Sequence, residues 1–126
     1  MLRRILQLER REPIDFLYLP IPPHFSALLG RIVNALRGLP YGIDYIDPWV
    51  QPRWHPDEKP FNKHWWARKM AGVLEPIAVR EASLITGVAE GYYEDVFERN
   101  PHLNEQAETA AMPYGGEKED HRAVER

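Results

Sequence analysis

The sequence predicts a mainly α protein, a few helices joined by long extended arms. Three observations predict it. Apolar residues recur at helical spacing over 25–37, 63–74 and 76–98. Proline, 12 of 126 residues and about twice its usual share, concentrates between those stretches. The intervening segments still carry many aromatic side chains, which are costly to leave in water. Such arms must lie on a surface, their own helices' or a partner's.

Composition bounds the chemistry. The length fits one domain. Cysteine is absent, which excludes disulfide scaffolds, thiol catalysis, cysteine-ligated zinc and Fe–S clusters. The net charge of −3 argues against a general electrostatic grip on nucleic acid. Arg outnumbers Lys 12 to 4, beside 4 Trp and 6 Tyr. That is a composition suited to protein interfaces, although a GC-rich coding sequence explains the Arg bias equally well. No stretch reaches the ~18 apolar residues of a membrane span. The longest uncharged run, Phe16 to Gly30, holds Pro20, Pro22 and Pro23 and would leave backbone groups unsatisfied in lipid.

The elements follow in order. Residues 1–11 form an amphipathic N-terminal segment, helical over 2–11. Leu2, Ile5 and Leu6 share a face, and Arg3, Arg4, Arg10 and Arg11 supply positive charge. This is the pattern of a mitochondrial presequence, against which Glu9 and Glu12 count. The alternative is a docking helix of the mature protein. Residues 12–23 hold four prolines and read as an extended apolar arm with Phe16 and Tyr18. Residues 24–38 carry the clearest helix, 25–37, with an apolar stripe at Phe25, Leu28, Leu29, Ile32, Val33 and Leu36. Gly38 and Pro40 stop it.

Residues 39–61 form the second arm, with prolines at 40, 48, 52, 56 and 60 and anchors at Tyr45, Trp49 and Trp54. Residues 62–100 form a helical section. Asn62 can cap a helix over 63–74 that carries Trp65 and Trp66. Pro76 interrupts or kinks it, and a second helix runs over 76–98 with Ile77, Leu84, Ile85, Val88 and Tyr92 on one face. Residues 101–126 read as a polar, mostly acidic tail.

Candidate chemistry is sparse. His55 and His64 flank Asp57 and Glu58, a combination that can bind zinc or a non-haem metal, but the spacing matches no metal motif. Asp44 and Asp47 can act as paired carboxylates, though Asp47 before Pro48 reads better as a turn start. Glu98 with Arg99 reads as a solvated helix face. Neither Ser26 nor Ser83 sits in a nucleophile elbow, and Gly115-Gly116-Glu117 is no phosphate loop. The basic aromatic stretch from Arg53 to Lys69 suits single-stranded nucleic acid, a membrane surface or a protein interface.

Taken together, Met1-Leu2-Arg3-Arg4, the arm Tyr41 to Phe61, the helical core and the polar tail resemble the small supernumerary subunits of mitochondrial inner-membrane complexes. ATP synthase and the respiratory complexes of protists have such subunits. The resemblance is one of style, without a motif. It implies a non-catalytic structural part, peripheral or on the matrix side, holding other protein subunits of a large complex. A peripheral lipid contact is a further partner. No catalytic residue, metal or cofactor is expected. Phe16, Tyr18, Tyr45, Trp49, Trp54, Trp65 and Trp66 are the expected partner-facing residues. A virion or phage connector protein is the alternative, and a small metal-dependent enzyme using His55, His64 and Asp57 is the second alternative.

Overall fold

The computed structural model describes residues 1–50 and 59–113. Helices and strands alternate: α1 Leu2–Arg11, β1 Leu17–Ile21, α2 Ser26–Arg37, β2 Tyr41–Tyr45, α3 Lys63–Val79, β3 Leu84–Gly87, α4 Gly91–Arg99, α5 Leu103–Gln106 and β4 Glu108–Ala111. The strands form one parallel sheet, in the order β1-β2-β3-β4. This corrects the mainly α expectation. The protein is α/β, in a Rossmann-like alternation, with 50% of the described residues in helix and 17% in strand.

The corrections have local causes. β1 lies in the first expected arm and β2 opens the second. Proline keeps both segments out of helices, but Pro20 does not keep β1 out of the sheet. β1 is an edge strand, where one side of the backbone has no ladder partner. β3 interrupts the helix expected over 76–98. Leu84-Ile85-Thr86 is a short β-rich run, and the helical spacing around it belongs to two different helices, the end of α3 and α4. α5 and β4 fall in the expected polar tail. The rest of that tail, 114–126, lies outside the described residues, as does 51–58 of the second arm.

Other expectations hold. α2 ends at Gly38, whose φ of +68° is a left-handed cap. Asn62 caps α3, its Oδ1 accepting the Trp65 N–H at 3.0 Å. α3 nevertheless runs through Pro76 as one helix to Val79.

Each crossover steps to the next strand in the same direction, so right-handed connections leave the helices on one face. α2 packs on β1, β2 and α3, and α4 packs on β3. The core lies between. The sheet supplies its large members: Leu19, Ile21, Tyr41, Ile43, Tyr45 and Ile85. The helices supply mostly small ones: Ala27, Gly30 and Val33 from α2, Ala71, Ala78 and Val79 from α3. A Cβ on Gly30 would stand 2.6 Å from Leu19 Cδ1 and press into the Tyr41 ring, so glycine is what lets α2 approach.

Half of the expected α2 stripe is therefore turned away from the core, while Leu28 and Leu29 are half-buried and Leu28 packs against it. Phe25, Ile32 and Leu36 are exposed, and of that stripe Val33 is the buried member.

Candidate functional site

Strand alternation sends every second side chain to the face opposite the helices. The register aligns Tyr18, Gly42, Leu84 and Glu108 in one row across the sheet, and Pro20, Asp44, Thr86 and Ala110 in the next. Among the described residues no helix packs on this face. At its centre the Thr86 hydroxyl donates to Asp44 Oδ1 at 2.8 Å, and the Tyr18 hydroxyl lies 2.6 Å from Thr86 Oγ1. Since Thr86 gives its proton to the carboxylate, Tyr18 is the donor to Thr86. Met112 Sδ stands 3.7 Å from the same phenol. Phe16 lies across the adjoining row. A Cβ on Gly42 would come within 3.0 Å of Phe16 Cζ and of Leu84 Cβ.

Chemically, this hydroxyl–hydroxyl–carboxylate chain resembles an activated nucleophile. Its burial decides otherwise: Thr86 is 1% exposed, so its oxygen is closed to a substrate. The chain works as a bracket between β1, β2 and β3.

The carboxyl ends of the strands, where open α/β sheets take their ligands, carry a second cluster. The His24 ring stacks on Trp49 with centroids 5.9 Å apart and 17° between planes, and Phe25 meets Trp49 edge-on at 6.4 Å. His24 Nε2 is shielded from solvent and has no hydrogen-bond partner among the described residues. No glycine-rich phosphate turn follows β1: the chain reads Pro22-Pro23-His24-Phe25 there.

A third cluster lies inside the helical layer. Glu75 is fully buried on α3. Arg99 of α4 holds it with two bonds, Nε to Oε1 at 2.8 Å and Nη2 to Oε2 at 3.2 Å, and the Tyr45 hydroxyl donates to Oε2 at 3.3 Å. Burial, and then the Glu75 charge, hold the Tyr45 phenol well above its ordinary range, so it remains a donor.

The expected partner-facing residues separate into groups. Phe16 and Tyr18 are exposed on the sheet face opposite the helices. Tyr45 and Trp49 are buried in the chain's own core. Trp65 and Trp66 open α3 and meet edge-to-face at 4.8 Å. Trp65 is half-buried, with Phe61 at 5.0 Å and Lys69 Nζ at 5.7 Å from its ring, while Trp66 is exposed. Trp54, His55, Asp57 and Glu58 lie outside the described residues. His64 sits in the first turn of α3. Among the described residues no three His, Asp or Glu side chains converge as metal ligands. No described helix is long and apolar enough to cross a membrane.

Sequence reasoning missed Thr86, Glu75 and the true role of Arg99. Arg99 reaches from a partly exposed position to pair with the buried Glu75 carboxylate, rather than belonging to a wholly solvated face. The signal for Glu75 was present: it shares a helical face with Ala71 and Ala78, a carboxylate where an apolar residue belongs. Compared with known proteins, the chain matches no family model, and no curated protein matches it.

Proposed function

We propose that the chain is a non-catalytic structural part of a larger assembly, completed on the face of its sheet opposite the helices by a second layer of protein. One observation carries this reading. The sheet is wholly parallel, yet among the described residues helices pack on one face alone. Parallel sheets occur almost only with both faces covered. Phe16 and Tyr18, each 40% exposed on the open side, are the surfaces such a layer would bury.

The isolated full chain tests the reading. In its native state it should bind a hydrophobic dye, because among the described residues no helix covers one side of its sheet. A native, monomeric chain that binds no dye would overturn it.

Within this assembly α1 serves as a docking helix, in keeping with the Arg37 Nε to Glu9 Oε2 contact of 3.3 Å that ties it to α2. A mitochondrial setting is proposed on the Arg-rich pattern of α1 alone. Fusion of residues 1–11 to a reporter tests the setting, and a cytosolic reporter would overturn it without touching the structural reading.

A further inference from the structure

The amphipathicity of α3 is inverted. Its sheet-facing side is Ala71, Glu75, Ala78 and Val79. Its outer side is Trp66, Met70, Val73 and Ile77, spaced i, i+4, i+7 and i+11, and these are 52%, 48%, 64% and 49% exposed. A surface helix ordinarily has the opposite arrangement. The neighbouring helix extends the apolar surface. A groove between α2 and α3 is lined by Arg31, Ile32, Ala35, Pro76, Ile77 and Arg80. A continuous apolar stripe on one helix, joined to a groove on the next, is more than scattered exposed residues.

Charge identifies the occupant. On the α3 wheel Lys69 and Arg80 flank one side of the stripe and Lys63 the other. Arg31 borders the groove from α2. Glu81 stands beside Arg80, with 4.0 Å between their charged groups. The rim is thus predominantly cationic. Of this rim Lys63 and Lys69 are of the type depleted at protein interfaces, and all four long basic side chains beside an apolar stripe suit a lipid surface, their stems in the apolar layer and their heads at the phosphates. Trp66 is the residue type that settles at headgroup depth. α1 packs on α2 and brings Arg3, Arg4, Arg10 and Arg11 to the same helical layer.

We propose that the outer face of the α2–α3 layer docks on an anionic lipid bilayer surface, through the Trp66–Met70–Val73–Ile77 stripe and its cationic rim. This goes beyond the structural reading above and uses the opposite side of the molecule, so either can fail alone.

Cosedimentation of the full chain with vesicles tests it. Phosphatidylcholine vesicles with about 30 mol% phosphatidylserine should bind the chain, and pure phosphatidylcholine should bind it far less. About 0.5 M salt should release it. Val73→Glu, at an open position, should lower vesicle partition at least about tenfold with an unchanged circular dichroism spectrum. Should that variant unfold, Lys69→Glu with Arg80→Glu supplies the same test through the rim, again with about tenfold loss or more. No binding to anionic vesicles would overturn the proposal. So would binding that survives these variants, which would assign it to α1 alone. A stripe-dependent dimer or protein complex without vesicle binding would give the face a protein occupant and overturn it too.

Discussion

Glu75 places a full carboxylate in a wholly buried position, where Arg99 and the Tyr45 hydroxyl meet it. Removing Arg99 leaves that charge uncompensated. A fully buried pair costs ~3–5 kcal/mol to break, and the Arg99 side chain is 32% exposed. Arg99→Ala should therefore destabilise by about 2–3 kcal/mol, read from the urea midpoint. Gly30 sets a contest between two opposing effects. Alanine favours the helix by about 1 kcal/mol, but its methyl would overlap Tyr41 and Leu19. Overpacking should prevail, and Gly30→Ala should lose about 1–3 kcal/mol. Tyr41 predicts a pH dependence. Burial pushes its phenol up to about 12, whereas in the unfolded chain it ionises near ~10. Across that interval the unfolded chain has released a proton that the folded one keeps. Stability should be complete below about pH 10 and fall as the pH rises towards about 12. Denaturant midpoints measured along that range should decline, and more gently for Tyr41→Phe.

At the scale of elements, the cap of α3 gives a local prediction. Asn62→Ala removes the acceptor for the Trp65 N–H and should cost ~1 kcal/mol. The bracket on the open sheet face gives a longer-range one. Thr86→Val keeps the shape and removes the hydroxyl between Tyr18 and Asp44, and should cost ~1–2 kcal/mol by the same measurement. Helices marked by local chemistry were legible in the sequence: α2 between its prolines and Gly38, α3 from Asn62, α1 from its amphipathic face. The strands were not. Each has only four or five residues, and their partners lie across whole helices. Nothing local distinguishes Leu17–Ile21 as an edge strand from the same residues as an arm. Which side of a helix faces inward was equally hidden. α2 and α3 carry large apolar residues outward because the tyrosines of β2 already fill the space beneath them. The bracket escaped detection for the same reason: Asp44 and Thr86 meet only through the register of β2 and β3.

For the molecule as a whole, the one-sided sheet and the inverted α3 act together. Large aromatic residues of the strands demand small residues on the helices that cover them. The helices' own large residues then turn outward. An apolar exterior on the helical side is thus a direct consequence of an aromatic interior. The spatial order of the strands has another consequence, for how the molecule comes to exist. It repeats the order of the chain. Each strand pairs with the one made just before it, so sheet formation never waits for a distant segment, and loop closure spans a single crossover at each step. Synthesis proceeds at ~5–20 residues per second, slowly against the microsecond scale of helix formation. The sheet can therefore start once β2 has left the ribosome, gain β3, and finish as β4 lies down on the growing edge.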